Sequence, residues 1–407
     1  MVSLNSRERV IKALNHQEPD QIPIDFGGTA SSGISIIAYN KLKKFLSLPS
    51  GNTKLYDLMQ QIADPEYDVL DQMGGDIVQL YRYAPRYNIK VEKWKSWVLK
   101  DGSQCRVPEE YNPILNTSGD EEIIENNTVI AKMPREGFYY DIVNYPLKNA
   151  ESIEDIDKAI MNTISVEELK YLENRAKNLY KKTEYAIVGA FGGSFFEAGL
   201  RVFGFEKFLM DLVINKPMLH RWFQKTTESY LDNLKKYLDT VGNYIQVIQF
   251  SDDLGSQNSL LISKDLYREM IKSYHTAIFQ FVKSYSPHLK VLLHSCGAIY
   301  DLIPDLIEAG VDAINPVQIS AAGMNPWKLK NEFGRDIVFW GGGANMQYTV
   351  NTGTFEEIRD EVRRMMEIFM PGGGFIFTQV HNIQANVSPE KIMAIYETAK
   401  KYRGYNL

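Results

Sequence analysis

Short apolar runs of four to six residues alternate along this chain with longer stretches in which apolar residues recur every three or four positions. The runs fit strands buried on both faces of a parallel sheet, and the periodic stretches fit helices that lay one stripe against it. Eight runs qualify: Ile22 to Phe26, Asp76 to Leu80, Ala186 to Ala190, Ile245 to Phe250, Val291 to His294, Ala313 to Val317, Ile337 to Trp340 and Phe375 to Val380. Helical periodicity lies between them, as in Lys264 to Tyr285, Tyr300 to Ala309, Phe355 to Phe369 and Pro389 to Tyr402. Eight alternating units predict an α/β fold, a single (β/α)8 TIM barrel, for which about 250 residues suffice.

The 407 residues leave room for insertions. The rhythm breaks between about residues 82 and 184, where Tyr- and Trp-rich runs and a hairpin-like Glu121 to Ala131, with Asn126-Asn127 as its turn, replace it. This span is read as an insertion after the second strand, a lid or interface element within one domain covering residues 1–407. The helix Arg7 to Asn15 is expected to close the barrel floor or to take part in a homodimer.

A net charge of −6 with no basic stripe excludes a nucleic-acid footprint. Two cysteines, Cys105 and Cys296, make no disulfide framework, and Met1-Val-Ser-Leu-Asn-Ser-Arg7 has no apolar signal core, so a cytoplasmic location is expected. No apolar run reaches the roughly 18–20 residues that span a bilayer.

The C-terminal strand ends of such a barrel carry its chemistry, because the βα loops converge there. Polar groups cap most of the predicted strands at that rim. Asp25, Phe196, Gln318, Trp340 and Asn382 are expected to line a substrate pocket. Glu197 follows two phenylalanines, so it is a candidate proton-holding carboxyl, or else the partner of Arg201 one turn on. Asp252 and Asp253 are candidates to orient a ligand histidine or touch substrate, against the plainer role of capping the next helix. His294, Cys296 and His381 stand at the ends of two strands, and imidazole with thiolate is the donor set that zinc prefers. Three such ligands leave the open position of a catalytic site. Gly341-Gly342-Gly343 and Gly372-Gly373-Gly374 lack the partners of a phosphate loop and are read as tight turns.

The runs Val291-Leu-Leu-His-Ser-Cys-Gly-Ala298, Ile307-Glu-Ala-Gly-Val-Asp-Ala-Ile-Asn-Pro-Val-Gln318, Trp340-Gly-Gly-Gly343 and Gly372-Gly-Gly-Phe-Ile-Phe-Thr-Gln-Val-His-Asn382 resemble the uroporphyrinogen decarboxylase superfamily. Arg7-Glu-Arg-Val-Ile-Lys-Ala-Leu-Asn-His16 and Asp20-Gln-Ile-Pro-Ile-Asp25 fit as well. Within it the chain is most similar to the cobalamin-dependent methyltransferases of the methylcobalamin:coenzyme M type. That resemblance implies a barrel with catalytic Zn2+ held by a His-x-Cys pair and a late cysteine. His294 and Cys296 match the pair, while His381 stands at the late position.

Two imidazoles and one thiolate leave the ion one formal positive charge, where two thiolates would leave none. The more positive ion is the stronger Lewis acid, which favours demethylation of an oxygen- or nitrogen-linked donor over activation of a thiol acceptor. No Asp-x-His-x-x-Gly signature occurs, so cobalamin is expected on a separate partner corrinoid protein, with a small methylated substrate or methyl acceptor as the second partner. A decarboxylase is the rival enzyme, but its arginine-rich stretch is replaced here by Phe26-Gly-Gly-Thr-Ala-Ser-Ser-Gly-Ile-Ser35. A non-catalytic binder of a corrinoid protein or small molecule is the third reading.

Overall fold

The fold is described by a computed structural model covering residues 3–405. Seven parallel strands stand side by side in chain order: β1 (Ile77–Leu80), β2 (Ala186–Ala190), β3 (Val247–Ser251), β4 (Lys290–His294), β5 (Ala313–Asn315), β6 (Val338–Trp340) and β7 (Phe375–Ile376). Segment 22–26, expected as the first strand, makes one parallel bridge, Ile24 to Phe377, in place of a ladder. Pro23 has no N–H to contribute, so regular pairing cannot extend through it. The segment is nevertheless bonded on both sides. Asp25 N donates to Phe377 O at 2.8 Å, Phe377 N to Pro23 O at 2.9 Å, and Asp76 N to Ile24 O at 2.8 Å. These bonds join β7 to β1 and close the barrel.

One carboxylate holds that seam. Asp76, its side chain 3% exposed, accepts from Ile24 N (3.0 Å), Ser6 Oγ (2.6 Å), Arg9 Nη1 (2.6 Å) and Arg403 Nη2 (2.6 Å). The start and the end of the described chain therefore meet at the residue before β1. Val10, Ala13 and Leu14 of the helix Ser6–Leu14 share one buried cluster with Ile77, Val188, Val247, Leu292, Ala313, Val338, Trp340 and Ile376. That helix closes the floor, as its apolar stripe requires.

Several element bounds differ from expectation. The helix anticipated from Lys264 to Tyr285 is two, Lys264–Met270 and Lys272–Tyr285, broken at Ile271, and Tyr300 to Ala309 begins as a 3-10 turn at Tyr300–Leu302. β5 stops at Asn315 because Pro316 follows, and β7 spans two residues before the chain leaves the ladder. Within residues 82–184, the helix Val166–Lys182 packs on the barrel like its counterparts elsewhere. The added structure there is antiparallel: Trp94–Val98 with Gln104–Pro108, and a four-stranded sheet built on the hairpin Glu121–Glu125 and Thr128–Met133. Asn126 and Asn127 turn that hairpin with φ of 49° and 62°, the left-handed pair such turns need. An added unit after segment 22–26 went unforeseen. Lys54–Asp57 and Ile62–Asp64 form a hairpin there, and Lys54 pairs with Arg106, so both additions share one sheet.

Replacing Asp76 by Ala would strand two arginines and an N–H at the seam. We expect Asp76→Ala to lose about 3 kcal/mol of stability, read as a lower urea midpoint, whereas an exposed-site control such as Glu356→Ala leaves the midpoint within error.

Candidate metal centre

Strand alternation sets the centre. Leu292 of β4 faces the barrel interior in the floor cluster, so His294, two residues on, faces the same lumen one layer higher. Its partner across the ladder, Asn315 of β5, sits likewise above Ala313. His294 Nδ1 lies 2.8 Å from Asn315 Oδ1, and Asn315 Nδ2 donates to Trp340 O at 2.9 Å, which fixes the amide oxygen toward the imidazole. Nδ1 therefore carries the proton, and the Nε2 lone pair is directed to the centre.

Cys296 follows on a tight loop. Its N–H donates to Asp253 Oδ1 at 2.8 Å, and Sγ lies 3.4 Å from His294 Nε2. Gly297, at φ 87°, lies so close to Gly255 that a Cβ would come within 2.3 Å of that residue's backbone carbon. Only glycine permits this approach of the two loops. His381 comes from beyond β7 with φ 62°, a left-handed conformation that a side-chain-bearing residue pays for with about 1 kcal/mol. The rings of His294 and His381 are 5.8 Å apart, and the ligand atoms of His294, Cys296 and His381 all lie within 4.8 Å of one another. Tetrahedral coordination with metal–nitrogen and metal–sulfur bonds of about 2.1 and 2.3 Å spaces donors by roughly 3.4–3.6 Å. The three side chains thus fit a small divalent ion after shifts of an ångström or less.

The electrostatics favour such an ion. Burial, with His294 alongside, holds the His381 imidazole down to about 4, so it is neutral and free to ligate at physiological pH. Burial, together with the carboxylates of Asp253 and Glu197, pushes the Cys296 thiol well above its ordinary range. A cation beside the sulfur reverses that balance by stabilising the thiolate. Asp253 also stands 3.5 Å from His294 Nε2. Burial raises Glu197 as well, opposed by Arg201 and reinforced by Asp253 and Asp252.

The other expected site residues divide. Glu197 reaches the rim, where its Oε2 accepts from Ser251 Oγ at 3.0 Å and its Oε1 pairs with Arg201 at 2.7 Å. Asp252 is fully buried and turned away from the lumen. It accepts from the backbone N–H groups of Phe195, Phe196 and Glu197 at 2.9, 2.9 and 2.7 Å and lies 3.0 Å from His275 Nε2. It caps the helix Phe196–Phe203, which has no cap of its own, and so serves the preceding helix instead of the next. Phe196 is fully buried against Phe208 and lines no pocket. Asp25 and Trp340 are also fully buried, with Trp340 Nε1 donating to Asp25 Oδ2 at 2.7 Å; burial pushes the Asp25 carboxyl up to about 6. They fill the barrel interior. Gln318 accepts from Gly297 N at 2.9 Å and steadies the Cys296 loop. Asn382 accepts from Tyr139 OH at 3.1 Å, which ties the added antiparallel sheet to the residue after His381.

Three rim groups had no role assigned from sequence: Asn315 and Ser251, read only as strand-end residues, and Arg86, which pairs with Asp57 at 3.0 Å and lies within reach of the Glu197 charge. Asn315 was findable, since it lies two residues beyond an interior alanine on a predicted strand. Arg86 was not, because it sits in an aperiodic stretch that only the fold brings to the rim.

The fold and this rim together define a (β/α)8 barrel with a candidate metal centre at its C-terminal face. The chain belongs to the uroporphyrinogen decarboxylase (URO-D) family, whose pattern matches residues 138–402. It is 23% identical over 266 residues to a uroporphyrinogen decarboxylase of Vesicomyosocius okutanii subsp. Calyptogena okutanii (strain HA), covering 62% of this chain and 69% of that one. Against the uroporphyrinogen decarboxylase of Pseudoalteromonas translucida (strain TAC 125) it is 24% identical over 272 residues, 63% and 71% of the two chains. Among solved structures, a methyltransferase from Methanosarcina mazei superposes with a TM-score of 0.61 over 98% of this chain and 99% of that one, at 15% identity, which shows a shared fold. Among the described residues, no helix is long and apolar enough to cross a membrane.

Because the folded His381 titrates below the ordinary value of 6.5, the unfolded chain binds the extra proton first. Metal-free protein should therefore lose stability as pH falls from about 6.5 to about 4. Thermal melts of the wild type against His381→Gln across that window check this; parallel pH profiles for the two would remove His381 as the source.

Proposed function

We propose that this protein is a zinc-dependent methyltransferase that moves a methyl group between a corrinoid carried on a separate protein and a small heteroatom substrate. The observation that carries the reading is the convergence of His294, Cys296 and His381 at the C-terminal rim, with donor atoms within 4.8 Å of one another. A structural role for these side chains would not need a histidine held in a left-handed conformation at the mouth of the barrel. Bound there, Zn2+ would supply Lewis acidity toward a heteroatom, and the corrinoid would supply the cobalt that carries the methyl.

The chain's own groups take the remaining tasks. Asn315 fixes the His294 tautomer, and Asp253 holds the Cys296 loop through its N–H. Gln318 supports the next peptide of the same loop. Glu197, paired with Arg201 and accepting from Ser251 Oγ, would take or return a proton at the substrate heteroatom. Asp252 acts at one remove, since its cap fixes the helix that presents Glu197.

Uroporphyrinogen decarboxylation is the second reading, favoured by what the sequence relatives are named for. Against it stands the scarcity of unpaired cations: Arg86 is committed to Asp57 and Arg201 to Glu197. A substrate with many carboxylates needs free ones.

Purified protein is expected to carry about one zinc per chain by elemental analysis, and Cys296→Ser to lose most of it with the circular dichroism spectrum unchanged. Wild type that takes up no zinc even when supplied with it would return the three side chains to packing.

With methylcobalamin or a methylated corrinoid protein, and a panel of small ethers, alcohols and amines, methyl transfer should appear as a change in cobalamin absorbance. His381→Ala should abolish it. Carbon dioxide release from uroporphyrinogen that is indifferent to zinc removal would decide for the decarboxylase.

A further inference from the structure

The strand wall of the lumen beside the candidate metal centre presents amide and small side chains. Ile77, Val188, Val247 and Leu292 lie in the floor cluster. Two residues farther along the same strands, on the same face, come Gln79, Ala190, Gln249 and His294, with Ser251 one step above Gln249. Ladder register makes them neighbours: Val188 stands opposite Gln79, Ala190 opposite Gln249, and Ser251 opposite His294. Gln79, Ala190 and Ser251 remain partly exposed although each lies in a barrel strand facing inward, so no side chain fills the space before them. Gln79 Oε1 is buried without a hydrogen-bond partner. An acceptor left unmatched in a barrel wall is costly unless a ligand supplies the donor.

Charge around this wall is balanced. Arg86 pairs with Asp57 and Arg201 with Glu197. Two imidazoles and one thiolate would leave a divalent ion one positive charge, and Asp253, 3.5 Å from His294, supplies the matching negative one. A cationic or anionic substrate would find no uncommitted counter-charge and would lose its hydration without return.

We infer that the substrate is an uncharged molecule carrying an O–H or N–H donor, read in the lumen by Gln79 and Gln249, with its reacting heteroatom toward His294, Cys296 and His381. The recognition of the heteroatom end rests on the methyl-transfer reading; the recognition of the donor end needs only the bound ion that balances Asp253. A carboxamide offers both a donor and an acceptor, so the two glutamines can bind one hydroxyl from both sides.

The test uses zinc-supplemented full-length protein and ligand-observed NMR with three probes of one skeleton: 2-methoxyethanol, methoxyacetate and 2-methoxyethylammonium. Binding is expected in the millimolar range for so small a ligand, with 2-methoxyethanol preferred about tenfold over either charged probe. Gln79→Leu and Gln249→Leu should each weaken it by about fivefold or more while zinc content stays that of the wild type. Gln79→Glu keeps the shape and adds a charge, and it should turn the preference toward 2-methoxyethylammonium, which covers the case in which a leucine variant does not fold. A preference for a charged probe, no detectable binding of 2-methoxyethanol, or binding untouched by these substitutions overturns the inference. Loss of the methyl-transfer reading alone would show instead in cobalamin absorbance, with zinc content and the neutral preference intact.

Discussion

Closure of the ring is the constraint on which the rest of this structure depends. Seven strands form regular ladders, and the eighth position is filled by a segment that Pro23 keeps from pairing regularly. Three backbone bonds and the fourfold acceptor Asp76 hold it in place. Were this seam open, β7 would be a free edge and His381, just beyond it, would have no fixed relation to β4. The candidate metal centre needs both at once. Its two histidines come from opposite parts of the barrel wall, 87 positions apart in sequence and 5.8 Å apart between ring centroids.

Buried carboxylates serve as fixed points throughout. Asp76 ties the floor, Asp252 ties the N-terminus of the helix carrying Glu197, and Asp25 is locked beneath Trp340. Each accepts several donors, which is how an acidic group survives burial. Asp253 and Glu197 differ, because each keeps part of its environment on the lumen and touches the centre or its wall. This division separates the acids that build the rim from those that face the candidate centre. It follows from hydrogen-bond saturation, since a carboxylate with four protein donors has little capacity left for a substrate.

The additions after segment 22–26 and after β1 share one sheet and reach the rim through Tyr139 and Asn382. They bring Asp57 and Arg86 to the mouth as a ready-made ion pair. Barrel strands alone would leave the mouth open there. Its two arginines, Arg86 and Arg201, are both paired with carboxylates there.

The barrel was legible in the chain because parallel strands buried on both faces read as unbroken apolar runs, and seven of the eight expected runs became ladder strands. His294, Cys296 and His381 were legible for the same reason: each stands at or just past a strand end, and chemistry in this fold collects there. The roles of the remaining acids and aromatics were not. Asp252 and Asp253 are neighbours with the same side chain, yet one is saturated by a helix N-terminus and the other faces the centre. Trp340, Asp25 and Phe196 follow the right strands but point into packed interior. Strand periodicity alone fixes which residues lie near a rim. Which way each turns, and whether its hydrogen bonds are already spent, depends on side chains far away in sequence, so only the folded chain decided it.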